Sequence, residues 1–249
     1  MYLRAAGKRR SNRRRVDQNG RAFAGSQRQI QTYVNELPEV LENAIVETLG
    51  SSFPTSAQLR WVSPLKHEGY AEYRDGDFLR ALGMQNSANE LSAFWPNRGP
   101  CWDALGRIEK DGEFVGCLMV EAKSYVDEFY ANDTGAKGES LDKIRTALTR
   151  TAEWFKIPSD KSWISFPDPK RCLYQCANRL AHLFLLRATL GIPSFLVNVL
   201  FIDDPHSPTS AEQWKEGLER IHSDLGISEF PAFYAEVLLP AIRGKRLSE

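Results

Sequence analysis

The chain has 249 residues, 42% hydrophobic and 11% aromatic, enough for one globular domain with a full core. No apolar run approaches the roughly 18 residues of a membrane span, and the basic N-terminus lacks the apolar segment of a secretory signal. Four cysteines are too few for a disulfide framework in a chain of this length, which points to a reducing, cytoplasmic setting.

The net charge of zero conceals an asymmetry. Residues 1–21 carry eight basic side chains and one acid, Asp17, so this segment is +7 and the remainder −7. Such a block repels itself. A basic, disordered tail is expected over residues 1–25, suited to gripping a phosphate backbone.

Apolar spacing predicts a helix from Ser26, as its N-cap, through Ile30, Tyr33, Val34 and Leu37, and a second from Pro38 to Leu49 stopped by Gly50. A short strand is expected near Leu59–Val62 and a short helix over Asp75–Leu82. Together these suggest a helical N-terminal extension, residues 26–86, without chemistry of its own. A helix over Ser87–Trp95 opens the remaining domain, 87–249, and ends at Pro96. Trp102–Glu109 and Phe114–Tyr125 then form a hairpin about Asp111-Gly112, a strong two-residue turn signal. The nearly all-apolar Val115–Val120 marks a central strand covered on both faces. Ser140 is expected to cap a helix carrying Ile144, Leu148 and Phe155. A Pro-rich connection over Ile157–Lys170 leads to a long helix over Arg171–Leu190, and a buried strand over Ser194–Ile202 follows. Thr209 to Glu212 read as a capping box for a helix with Trp214, Leu218 and Ile221, and Phe233–Leu239 is a last strand. The fold class is therefore α/β, a central mixed sheet flanked by helices.

The chemistry concentrates on the hairpin. Glu121 and Lys123 lie two apart and share one face of a strand. Counting back from a Lys110–Glu113 pair puts Asp103 opposite Val120, so one bulge is needed to bring Asp103 onto the Glu121 face. Two carboxylates with hard oxygens suit Mg²⁺, and a neighbouring lysine can orient water or offset transition-state charge. A second Asp-x-Lys string, Asp168-Pro169-Lys170, is barred from a central strand by its prolines. Plainer readings exist for each residue: an ion pair for Glu121 and Lys123, a turn residue for Asp103, solvated helix positions for Glu90 and Gln175. Cys172, Cys176 and His182 read as core, and none of the four histidines sits in a motif.

The helix, the strand pair with Asp103 and then Glu121-x-Lys123, the later helix with Gln175 and the further strand resemble the PD-(D/E)XK nuclease superfamily. That resemblance implies a restriction-endonuclease-like core, with Asp103 and Glu121 as metal ligands, Lys123 as catalytic lysine, Glu90 completing the metal shell and Gln175 as the helix glutamine of the RecB-like branch. It implies Mg²⁺ or Mn²⁺ as cofactor and nucleic acid, DNA before RNA, as partner. The match departs from the family pattern in three places. Trp102 replaces the proline, a strand is lacking between the helix and Asp103 unless borrowed from residues 59–62, and Arg179 stands where a tyrosine is expected. The segment from Phe94 to Gly106 is also similar to one in a bacterial protein family, which implies no activity. The rival readings are a nuclease fold that binds nucleic acid or a protein without cutting, and a structural protein whose basic tail docks on an acidic surface.

Overall fold

The computed structural model describes residues 16–158, 163, 168 and 171–243. The first fifteen residues of the expected tail, and residues 159–162, 164–167, 169 and 170 of the Pro-rich connection, lie outside the described residues. Residues 16–25, expected in the disordered tail, are instead folded onto the body, with Val16 bridged to Ala22 and Ala22 buried. Two helices, α1 (Gly25–Glu36) and α2 (Pro38–Leu49), precede strand β1 (Gln58–Ser63). Short helices α3 (Asp75–Ala81) and α4 (Ala88–Phe94) lead to the hairpin β2 (Ala104–Lys110) and β3 (Glu113–Lys123). Helices α5 (Glu139–Trp154) and α6 (Tyr174–Phe184) then bring the chain to β4 (Ser194–Ile202), and α7 (Ala211–Leu225) to β5 (Tyr234–Pro240). The five strands form one mixed sheet in chain order, antiparallel from β1 to β3 and parallel from β3 to β5.

The strand period sorts the core into two layers. Ala104, Leu118, Val120, Val197 and Val237 point to α1 and α2, where they meet Ile30, Leu41 and Ile45. Leu105, Cys117, Met119, Leu196 and Leu200 point to the other helices, meeting Ile144, Leu180 and Trp214. Residues 26–86, expected as a helical extension, are thus built into the body: β1 pairs with β2, and α1 and α2 roof one face. No helix among the described residues is long and apolar enough to cross a membrane.

Several boundaries move for local reasons. Ser26 does not cap α1, which begins at Gly25; its hydroxyl donates instead to Glu128 (3.3 Å). Gly138, at φ 55°, turns the chain into α5 two residues before Ser140, so no hydroxyl caps that helix. The capping box of α7 sits one residue later than expected: Ser210 accepts from Gln213 N, and the Gln213 side chain accepts from Ser210 N, while Thr209 is buried. Residues 171–173 stay out of α6 because Cys172 bridges to Ala131, and the helix closes in a wide turn over Leu185–Thr189. Trp102 lies outside β2; it bridges to Tyr73 and is fully buried.

The hairpin turn is as expected, with Asp111 and Gly112 both at positive φ (53° and 84°). The required bulge is present. Lys110 pairs with Glu113 and Glu109 with Phe114, but Ile108 pairs with Gly116, leaving Val115 unpaired. From there Ala104 meets Val120, so Asp103, one residue further, faces Glu121.

Candidate functional site

Glu121 and Lys123 end the buried central strand on the face covered by α6, and both side chains are buried. The Lys123 ammonium donates to Glu121 Oε1 (2.6 Å) and to Gln175 Oε1 (3.1 Å) on α6. Asp103 arrives from the neighbouring strand, its Oδ2 accepting the Ala122 N–H (2.8 Å). Four of the residues expected to form the site therefore converge: Asp103, Glu121, Lys123 and Gln175.

Glu90 does not join them. It is exposed on α4, and no hydrogen bond or ion pair of this cluster among the described residues reaches it. A seven-residue helix preceding a tight turn carries it to solvent. A different acid, Glu72 upstream of α3, lies close enough for its charge to be felt by both Asp103 and Glu121, while its carboxylate accepts from Gln27 (2.8 Å). No local signal points to Glu72, which belongs to no motif and lies 31 positions before Asp103.

Arg179 is the second residue that sequence reasoning left without a role. Its Nε donates to Glu121 Oε2 (2.8 Å), its Nη1 to Asn178 Oδ1 (2.8 Å) and its Nη2 to the Cys101 carbonyl (3.1 Å). The guanidinium also lies 5.6 Å from the centre of the Trp102 ring. The signal available was spacing: Gln175 and Arg179 are four apart and so share a helix face. Both oxygens of Glu121 are thus held by cations.

The electrostatics follow from this asymmetry. Burial works against the Glu121 charge, but Arg179 and Lys123 outweigh it and lower its pKa. Burial likewise opposes the Lys123 charge, and Glu121 with Asp103 overcomes it, so the ammonium pKa rises. Asp103 has no such compensation. The packing around it and the Glu121 charge push its pKa well above the usual carboxylate range, with Lys123 offsetting only part. Glu72 is raised by burial and, more weakly, by Glu121.

Asn198 on β4 pairs with Glu121, and Glu236 on β5 with Asn198, so polar side chains run in a row across the sheet beneath α6. Asn198 donates to the Tyr234 hydroxyl (2.6 Å), which donates to Glu236 (2.8 Å); His222 Nε2 is 2.7 Å from the same carboxylate. Cys176 feels the charges of Glu121 and Glu236, and burial pushes its thiol up to about 12. It is a protonated packing residue, not a nucleophile. His182, held by the Asn178 carbonyl (2.8 Å) among Phe94, Trp95 and Trp102, is a core histidine.

Among the described residues no set of three His, Cys, Asp or Glu side chains is arranged for one ion. That leaves room for Mg²⁺, which keeps several waters and takes one or two carboxylates. Asp103 fits such an ion: it is partly open to solvent, receives one backbone N–H, and lies in a field that a nearby divalent charge would relieve. Comparisons with family models, curated proteins and solved structures return no match. The function therefore has to be argued from the site itself.

Proposed function

We propose that this protein is a metal-dependent nuclease that hydrolyses phosphodiester bonds of DNA, in preference to RNA, on a restriction-endonuclease-like core. The observation that carries the reading is the bulge at Val115, which sets Asp103 opposite Glu121 and beside Lys123. The strand order supports it as well. A three-strand antiparallel meander followed by helices and a parallel strand is the family's plan, with β1 as the strand lacking near Asp103 in the sequence.

Asp103 and Glu121 would hold Mg²⁺ or Mn²⁺. A divalent ion there supplies Lewis acidity at a phosphoryl oxygen and makes water more acidic. The chain's own groups do the rest. Lys123, charged and buried, offsets negative charge gathering on the phosphate oxygens and points a water at phosphorus. Gln175 fixes the Lys123 ammonium by accepting one of its protons in a hydrogen bond, and Arg179 keeps Glu121 ionised. The water oxygen attacks phosphorus, the ester P–O bond breaks, and a proton passes to the departing oxygen.

One observation favours a second reading, a nuclease fold that binds nucleic acid or a protein without cutting. Arg179 occupies the Glu121 oxygen that a metal would need. The discriminating experiment is cleavage of labelled DNA with and without Mg²⁺ by the wild type and by Asp103→Ala, Glu121→Ala and Lys123→Ala. Each variant should lose metal-dependent cleavage while keeping its circular dichroism spectrum. Full activity in Glu121→Ala would refute the nuclease reading, and binding without cleavage in the wild type would favour the second.

A further inference from the structure

Helix α6 divides its polar residues between two sides. Gln175 and Arg179 face the carboxylates. Tyr174 lies on the wall of a cleft of about 510 Å³ whose other sides are the loop before Asp103 and the loop entering α5. That volume is within the roughly 300–1,000 Å³ of small-molecule sites. The cleft and the catalytic row are neighbours: Asn178, one turn from Tyr174, accepts the Arg179 hydrogen bond, and Arg98 on the cleft rim is five residues from Asp103.

The lining is chemically specific. Tyr174, partly exposed, stacks on buried Trp95 with centroids 6.5 Å apart and planes 29° apart, so the tyrosine ring is backed by a second aromatic. Arg98 and Lys137 stand on opposite loops of the rim, both exposed and without ion-pair partners among the described residues. Asp75 accepts the backbone N–H groups of Arg98 (3.0 Å) and Gly99 (2.8 Å), which holds the rim in place and leaves the guanidinium unengaged. The lining also includes one carboxylate, Asp133, which accepts the Thr134 N–H (2.6 Å); a rigid aromatic wall between two rim cations matches a nucleotide, with base against ring and phosphates at the rim. A base inside a duplex has both faces covered and cannot enter such a cleft.

We infer that this cleft is the seat of an unpaired nucleotide beside the scissile phosphate, making the substrate single-stranded DNA or a strand end rather than continuous duplex. The inference rests on the nuclease reading for its substrate, but its test does not need cleavage. Fluorescence anisotropy in EDTA would measure binding of a labelled oligothymidylate and of a hairpin duplex of equal length. The wild type prefers the single strand. Tyr174→Ala weakens single-strand binding by about fivefold to a hundredfold, the range for loss of one base–aromatic stack. Tyr174→Phe, which keeps the ring, stays within about twofold by the same argument. The double variant Arg98→Ala/Lys137→Ala, at two exposed positions, flattens the salt dependence.

Equal affinity of the wild type for both DNA forms would overturn the inference. So would unchanged single-strand affinity in a folded Tyr174→Ala, or thymidine monophosphate competing as strongly as the oligomer, which would mark a free-nucleotide site. If the binding pattern holds and no DNA is cut with Mg²⁺, the cleft stands and hydrolysis falls. If DNA is cut but Tyr174→Ala retains wild-type strand preference, the reverse is true.

Discussion

Replacing Arg179 by methionine tests the electrostatic logic of the site most directly. The substitution keeps length and apolar bulk but removes one of the two cations on Glu121, along with the hydrogen bonds to Asn178 and the Cys101 carbonyl. Breaking a buried ion pair from one side costs about 3–5 kcal/mol. Because Lys123 still holds Glu121 Oε1 at 2.6 Å, the lower end applies. A loss of about 3 kcal/mol lowers the melting temperature of a domain this size by roughly 6–12 °C. Magnesium should return part of it. With a dissociation constant of about 1 mM, 10 mM Mg²⁺ restores about 1.4 kcal/mol through the freed Glu121 oxygen. In the wild type the ion must first displace the guanidinium and stabilises less. Thermal melts in EDTA and in Mg²⁺, for both proteins, measure this. A loss below about 1 kcal/mol in EDTA, against the roughly 3 expected for a broken buried pair, would refute the reasoning. So would equal stabilisation of both proteins by Mg²⁺.

Asp103→Asn removes a carboxylate whose pKa is raised in the fold, so the charged form strains the folded state and the strain grows as pH rises through and above the ordinary carboxylate range. The variant should gain stability over wild type at neutral pH and lose that advantage in acid, as followed by urea titration at both pH values. No gain at neutral pH would contradict the assigned direction. His182 is depressed by burial from 6.5 to about 4, so the unfolded chain takes a proton that the folded chain refuses as pH falls through this window. The wild type should lose about 2.5 kcal/mol from this group between neutral pH and pH 4.5, and His182→Leu should show a shallower acid slope. Gly217 on α7 has no room for a methyl, since its Cβ would lie 2.5 Å from Val126 Cγ2. Gly217→Ala should cost about 1–3 kcal/mol in chemical denaturation, and adding Val126→Ala should recover most of it.

The strands and the hairpin were legible because alternation, a nine-residue strand polar only at Ser194 and Asn198, and an Asp-Gly turn are local signals. The carboxylate–lysine spacing was legible for the same reason. Arg179, Glu72 and Asn198 were not, because each reaches the site through tertiary geometry: a helix laid across the sheet, a loop folded back on it, a neighbouring strand in register. Glu90 illustrates the converse, an acid at a plausible sequence distance whose short helix turns it to solvent. The bulge stands between these cases. Residue counting showed that one was needed, but nothing in the apolar run from Val115 to Val120 marked Val115 as the unpaired residue. The caps of α5 and α7 differ from expectation because neighbouring Gly, Ser and Thr residues compete for one position, whereas α1 starts after Ala24 with no side-chain cap and Ser26 bonds Glu128 instead.

The two outer antiparallel strands, β1 and β2, are neighbours in space, yet 40 residues separate Ser63 from Ala104. That long excursion carries Glu72, the anchor Asp75, the rim residue Arg98 and finally Asp103. Substitutions at its exposed positions alter the mouth of the site, while the hydrogen-bonded ladder beneath is held by strands far away in the chain. The same connection buries Phe78, Leu79, Leu82 and Trp102 in the core, so only its exposed positions, Arg98 among them, can change the mouth without loosening the body.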